Sequence, residues 1–178
     1  MEHELIMAGF GGQGIMSIGQ LVTYAGMMEG KKVSWMPSYG PEQRGGTANC
    51  SVVVSDQPVG SPVVTRPTGA VIMNGPSLDK YEPLVKPGGV LVVNGSMTTR
   101  QPVRTDLRVI VLPANEIALE LGNARVASMV ALGALIAASG VVSMAAAKKA
   151  LSKVLPAHRQ NLIELNVQAL ERGAAYAQ

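Results

Sequence analysis

Residues 4–14 read ELIMAGFGGQG, and no other stretch restricts the fold as much. Residues 4 to about 9 are an apolar run short enough for one buried strand, and glycines end it. From Gly12 or Gln13 onward the pattern changes. Ile15, Ile18, Val22, Ala25 and Met28 recur at spacings of three and four, which is one face of a helix. Gly30 is a good C-terminal stop. A strand, a tight turn and an amphipathic helix in thirty residues make a βα unit, which can bury both faces only inside a sheet layered with helices.

The rest of the chain continues that pattern. KKVSWM (31–36), TANCSVVVSD (47–56), AVIMNG (70–75), VLVVNGS (90–96) and LRVIVLPA (107–114) read as strands. The Pro- and Gly-rich stretch PVGSPVVTRPTG (58–69) reads as a short edge strand with turns. PSLDKYEPLV (76–85) opens on Pro76 and reads as a short helix. From residue 114 the pattern is helical: NEIALELG ended by Gly122, ARVASMVALGALIAASG, SMAAAKKALSKVL, and a last helix over about 158–175 with Ile163, Val167, Leu170 and Ala174 on one face. The expected fold is α/β, a three-layer α/β/α sandwich with a mostly parallel or mixed sheet. It has a Rossmann-like first βα unit and a helical C-terminal third, all in a single domain over 1–178. Residues 31–56 leave no room for a crossover helix, so that strand pair is expected to be antiparallel.

Composition narrows the function. Aromatic residues are 3% and hydrophobic residues 47%, so the core must be aliphatic; charged residues are 15% against a typical ~25%. So little charge leaves weakly polar surface suited to a partner. The net charge of +3 is spread out, and Lys148, Lys149 and Lys153 read as a solvated helix face, so no nucleic-acid surface is expected. One cysteine, Cys50, excludes an internal disulfide and a self-contained Cys₄ site, and His3 and His158 lie far apart, so no metal site is expected. Cys50 opens an apolar strand and reads as a buried thiol; Trp35 and the ten methionines read as packing. Residues 126–147 carry no charge, but Gly140 can end one helix and Ser143 can cap the next. Two buried helices are therefore expected rather than a membrane span, in a cytoplasmic protein.

Gly9, Gly11 and Gly14 match G-x-G-x-x-G between a strand and a helix, the arrangement that lets an anion approach free N–H groups at a helix start. The ribose-binding acid expected about 20 residues on is missing, because Glu29 precedes the second strand and Met36, Pro37 and Ser38 follow it. A structural turn and the approach of a phosphate or partner chain both stay open, and a stand-alone nucleotide-binding module is the weaker alternative. The second concentration of chemistry is SWMPSYGPEQRGGTANC (34–50). Pro37 and Pro41 stiffen it, Gly40, Gly45 and Gly46 allow sharp turns, and Tyr39, Glu42, Gln43 and Arg44 stand between them. Arg44 could grip a carboxylate or phosphate, or pair with Glu42 and hold the loop. Asn74 and Asn94 follow apolar strands and read as turn residues at strand ends that can line a crevice. Arg125 opens a buried helix and either pairs locally or faces a partner.

Three pieces, GFGGQG at 9–14, PSYGPEQRGGTANCSVVVSD at 37–56 and NARVASMVALGAL at 123–135, fall in an order that resembles the gamma subunit of 2-oxoacid:ferredoxin oxidoreductases, the pyruvate/ketoisovalerate oxidoreductase gamma family. With the short length, the likeness is strongest to the 2-oxoglutarate enzyme; the branched-chain, pyruvate and indolepyruvate enzymes are the alternatives. The resemblance implies a complex that decarboxylates a 2-oxoacid using thiamine diphosphate, Mg²⁺, iron–sulfur clusters and coenzyme A. The chain lacks a GDG motif with a downstream NN and has one Cys, so it is expected to bind none of these groups alone and to carry no catalytic residue by itself. Alpha and beta chains, with a ferredoxin-like delta chain as an optional addition, are the implied partners, and ferredoxin is reached through the complex. Self-association of the isolated chain stays open. On this reading Gly11, Gly12, Gln13, Gly14, Tyr39, Glu42, Gln43, Arg44, Gly45 and Gly46 face the coenzyme or partner chains, with Asn74, Asn94 and Arg125 as further candidates.

Overall fold

The computed structural model describes residues 1–39 and 46–178. Six strands form one sheet: β1 (Glu2–Phe10), β2 (Lys32–Tyr39), β3 (Thr47–Ser55), β4 (Gly69–Ile72), β5 (Val90–Asn94) and β6 (Arg108–Leu112), in the order β2-β3-β1-β4-β5-β6. Strand β3 runs antiparallel to both β2 and β1, whereas β1, β4, β5 and β6 are mutually parallel. The mixed sheet follows from connection length. Between β2 and β3 there is room only for a hairpin, whereas β4 reaches β5 through α2 (Gly75–Tyr81).

Alternation sets the two faces. Leu5, Met7, Val52, Val71, Val92 and Ile110 point into one core, shared with α1 (Ile15–Met28), α3 (Ala114–Glu120), α4 (Ala127–Ser139), α5 (Met144–Val154) and α6 (Ile163–Tyr176). Ile6, Ala8, Ile72, Leu91 and Val93 point the other way, into a smaller core closed by Leu78 and Tyr81 of α2 and by Val64. The α/β sandwich is therefore lopsided, with one thick helical layer and one thin one.

Several local expectations change. Residues 58–69 form no strand before β4. Pro58, Pro62 and Pro67 lack N–H donors; Val64 instead turns into the smaller core, and the Thr68 hydroxyl accepts from Glu4 N at 3.0 Å. Strand β2 runs past Met36 to Tyr39, and Pro37 is tolerated because β2 is a sheet edge. The last helix begins with a 3₁₀ stretch, Ala157–Leu162, and its buried face is Asn166, Ala169, Leu170 and Gly173, rotated from the expected one. Close packing causes the rotation. A Cβ built at Gly173 would collide with the Val130 carbonyl, and one at Gly133 with the Leu170 carbonyl, so the backbones of α4 and α6 touch across two glycines.

Helix α4 is buried on every side from Ala127 to Ile136, so its lack of amphipathicity is explained by tertiary packing. Gly140 ends it at φ 66°, and the Ser143 hydroxyl accepts from Ala146 N at 3.0 Å to start α5. Among the described residues no helix is long and apolar enough to cross a membrane.

Candidate functional site

The parallel strands end at one edge of the sheet, and most of the singled-out residues lie there. Strand β1 runs into the turn Gly11–Gly14, which leads to α1 on the thick side; β4 leads to α2 on the thin side. Adjacent strands whose connections leave to opposite faces create a crevice at their C-terminal ends. The hairpin joins the same edge, because Gly9 pairs with Ala48 and Ala48 with Tyr39. Gly11 N–H donates to the Gly46 carbonyl at 2.9 Å, tying the glycine turn to the end of the polar loop. Glu42, Gln43, Arg44 and Gly45 lie outside the described residues; Tyr39 is placed as the last residue of β2.

Gln13 braces the turn. Its Oε1 accepts from Phe10 N at 2.6 Å, and its Nε2 donates to the Met73 carbonyl at 3.3 Å, so its side chain joins the ends of β1 and β4. Gly14 is the N-cap of α1 at φ 80°, in the left-handed region, and brings no side chain to the N–H groups of the first turn. A Cβ there would also sit 2.5 Å from the Ser128 hydroxyl. No acid occupies the first turn of α1, so no side chain of that turn offsets its N-terminal field.

Asn74 and Asn94 sit at the ends of β4 and β5 as expected and are spent on their turns. Asn74 Oδ1 accepts from Ser77 N at 2.9 Å as the N-cap of α2; its buried Nδ2 has no partner among the described residues. Asn94 Oδ1 accepts from Ser96 N, and its Nδ2 donates to Asn115 Oδ1 at 3.0 Å.

Beside the turn, a cleft of about 330 Å³ opens between the starts of α1 and α4 and the 157–162 turn. Gly12, Gly14, Arg125, Ser128, Arg159 and Asn166 line it. Arg125 is exposed, its N–H held by Asn123 Oδ1 at 2.9 Å, and its guanidinium makes no ion pair among the described residues. A second cleft of about 260 Å³ lies across Gly12 and Arg125 toward Met73 and Asn115. Ser128, Arg159 and Asn166 were not read as site residues from the sequence. Ser128 hides in an apolar helix, and Arg159 and Asn166 come from the far end of the chain; their only sequence signal is polarity in poorly amphipathic surroundings.

The remaining candidates resolve as structural. Cys50 is fully buried, its thiol facing the Ile15 carbonyl at 3.5 Å, and burial pushes its pKa up to about 12, so it is no nucleophile. Glu29 ends up past the C-terminus of the fourteen-residue α1, ~21 Å from the glycine turn, where its carboxylate accepts from Ser143 N at 2.7 Å. No acid is therefore placed for a ribose by that route. Among the described residues no three His, Cys, Asp or Glu side chains converge to hold a metal.

Comparison with known proteins places this architecture. The family model described as pyruvate ferredoxin/flavodoxin oxidoreductase matches residues 4–176. The chain is 40% identical over 176 residues to the ketoisovalerate oxidoreductase subunit VorA of Methanothermobacter thermautotrophicus, covering 99% of this chain and 36% of that protein. It is 34% identical to the 2-oxoglutarate synthase subunit KorC of Methanocaldococcus jannaschii, covering 97% of this chain and 92% of that one. The chain thus spans little more than a third of the length of the VorA relatives, at 36% and 37%. Among solved structures, the keto/oxoacid ferredoxin oxidoreductase gamma subunit of Geobacter sulfurreducens superposes with a TM-score of 0.84 at 32% identity, over 98% of both chains. The 2-oxoglutarate:ferredoxin oxidoreductase of Magnetococcus marinus, with 2-oxoglutarate, coenzyme A and succinyl-CoA bound, superposes with a TM-score of 0.87 at 25% identity, over 99% of this chain and 31% of that one.

Proposed function

This chain belongs to the pyruvate ferredoxin/flavodoxin oxidoreductase family, and on that premise we propose that it serves as the gamma subunit of a 2-oxoacid:ferredoxin oxidoreductase. Its complex would convert 2-oxoglutarate, coenzyme A and oxidised ferredoxin to succinyl-CoA, CO₂ and reduced ferredoxin. The likeness to KorC and to the Magnetococcus enzyme supports 2-oxoglutarate. The higher identity to VorA favours a second reading, a branched-chain 2-oxoacid. Thiamine diphosphate, Mg²⁺ and iron–sulfur clusters would supply the decarboxylation and electron transfer from the partner alpha and beta chains, with a delta chain where present, in the cytoplasm.

This chain's part is the wall through which coenzyme A approaches. One observation carries the reading: the glycine turn, the end of the polar hairpin and Arg125 meet at one sheet edge, joined by the Gly11–Gly46 hydrogen bond. The residues fit an anionic coenzyme. The Ser128 hydroxyl faces the cleft with no hydrogen-bond partner among the described residues, and none of the described residues that line the cleft carries a carboxylate. The uncapped start of α1 and the two guanidiniums favour phosphate oxygens over water. Gln13 braces the turn through Phe10 N and the Met73 carbonyl, which suits the wall of a site that must keep water from reactive intermediates once partner chains cover it.

Affinity capture of the tagged chain from its native cells tests this. Thiamine-binding and iron–sulfur chains should co-purify, with viologen reduction dependent on coenzyme A and on 2-oxoglutarate or 3-methyl-2-oxobutanoate; the faster acid decides the substrate. Recovery of the chain alone, without such activity, defeats the reading.

A further inference from the structure

Helix α1 is unlike the other surface helices of the fold. No residue between Glu4 and Glu29 is charged, so the whole of α1 is neutral. A surface helix ordinarily turns charged side chains outward. The others do so, with Asp79 and Lys80 on α2, Glu116 and Glu120 on α3, Lys149 and Lys153 on α5, and Glu164 and Arg172 on α6. Helix α4 is neutral too, but it is buried from Ala127 to Ile136. The outer side of α1 carries Tyr24, Met27 and Met28, which are 39%, 55% and 46% exposed. Spacings of three and four put both methionines beside the tyrosine. Among the described residues no other helix exposes more than one large apolar side chain.

This face has the composition of a protein contact. Interface cores are poor in charge and rich in tyrosine and methionine, and methionine adapts to irregular surfaces. The fold makes its own use of the opposite side of α1, through Ile15, Ile18, Leu21, Val22 and Ala25. At its N-terminal end the face runs into a recess of about 280 Å³ that includes Phe10, Met16, Ser17 and Ala48. None of the described residues lining that recess is charged. The neighbouring sheet edge does not invite a strand, because Lys32 is exposed on β2 and Pro37 lacks an N–H. A second copy of the chain does not fit either. Fourteen helical residues make a strip ~21 Å long and ~10 Å wide, about 210 Å² a side, against the ~800 Å² of a stable two-fold contact. The occupant must be large enough to cover neighbouring surface as well.

The relatives indicate where such an occupant comes from. The region matched by this chain is 36% of the VorA polypeptide and 31% of the Magnetococcus chain, so in both a longer segment is tethered beside it. KorC, 92% of which is matched, leaves no room for that segment on its own chain. We propose that the neutral outer face of α1 is a docking surface for the counterpart of that segment. The partner meets it with an uncharged, apolar surface, because a charge buried against α1 would find no counter-ion there. Tyr24 and Met27 are the anchors. The inference rests on the subunit reading above and adds the surface by which the subunit is held, which is separate from the wall that meets the coenzyme.

Dissociation of the assembled complex on dilution tests it, read by mass photometry for wild type, Tyr24→Lys, Met27→Lys and Leu119→Lys. Leu119 is 64% exposed on α3, so the control places the same charge at an open apolar position of another helix. Tyr24→Lys and Met27→Lys should each raise the dissociation constant of this chain at least about 10-fold, as loss of an interface anchor does. Leu119→Lys should stay within about 2-fold of wild type. All three isolated chains should melt with wild type, since the substituted side chains are exposed. Hydroxyl-radical footprinting of the wild type needs no variant. Met27 and Met28 should oxidise in the free chain and lose most of that reactivity in the complex. Equal oxidation in both states, or wild-type dissociation constants for both α1 variants, overturns the proposal and leaves the subunit reading intact. A free chain that sediments as a dimer, split by Tyr24→Lys while the complex is unaffected, makes the face a self-contact and overturns it too. A wild-type chain that recovers no larger partner overturns both readings.

Discussion

Glu82 is the most heavily committed carboxylate among the described residues. It is 2% exposed, and its Oε1 accepts from Val103 N at 2.5 Å and Arg104 N at 3.0 Å while Oε2 meets Arg100 Nη1 at 2.8 Å. Arg104 returns the contact, donating Nη1 to the carbonyls of Glu82 and Val85. The side chain thereby fastens the connection between β5 and β6 to the end of α2. Burial alone would raise its pKa, but the Arg104 and Val103 N–H donors and the Arg100 guanidinium together hold it below the ordinary 4.5. A depressed folded value means stability that is fully present above 4.5 and is lost as pH falls through the folded value. Glu82→Gln keeps an acceptor for the two N–H groups but loses the charge. It should cost about 2 kcal/mol in urea unfolding at pH 7, and the gap to wild type should narrow as the pH drops below 4.5. A constant gap from pH 7 to pH 3 would remove the carboxylate from this role.

At the scale of elements, the contact between α4 and α6 is made by absent side chains. Gly133 and Gly173 let the two backbones meet, and neither has space for a methyl group because the obstacle is a carbonyl rather than a movable side chain. Gly173→Ala should therefore destabilise by about 3 kcal/mol or more, beyond ordinary overpacking. Gly75→Ala, in the first turn of α2 with nothing within 4 Å, should be neutral or slightly stabilising. Equal melting temperatures for the two variants would refute the close approach. This contact also shows what the sequence could and could not convey. The first βα unit, the hairpin, the Gly140 and Ser143 boundary and the all-buried α4 were legible, because strand alternation, caps and unbroken apolar runs are local signals. The rotation of α6 was not, because a glycine that is required for a partner helix looks the same as one that merely weakens its own. The prolines of 58–69 misled in a similar way: β-branched valines suggested a strand that lacked donors to form one. In the site, the glycine turn, Arg125 and the two asparagines could be found by motif and strand-end position. Ser128 and Arg159 could not, since only the α4–α6 packing and the return of the chain after α5 bring them to the same cleft.

Across the whole molecule, chemistry and stability divide between the two edges of the sheet. The C-terminal edge of the parallel strands gathers the glycine turn, the hairpin end and Arg125 and Arg159, which have no ion-pair partner among the described residues. The opposite edge holds ordinary surface ion pairs, such as Lys86 with Glu4 at 2.6 Å, and pairs of that kind contribute little. A gamma-type chain that contributes a wall to a shared site should show this division in its kinetics. Arg125→Ala removes a charge whose guanidinium has no hydrogen-bond or ion-pair partner among the described residues. The assembled complex carrying it should show KM for coenzyme A raised about 10-fold, with the melting temperature of the chain within about 2 °C of wild type. Lys86→Ala should leave KM for coenzyme A where it was. The expected pattern is thus one variant that alters coenzyme use without touching stability and one that alters neither. If Arg125→Ala instead lowers the melting temperature and leaves KM unchanged, the C-terminal edge is a structural seam, and the coenzyme approach must lie elsewhere in the complex.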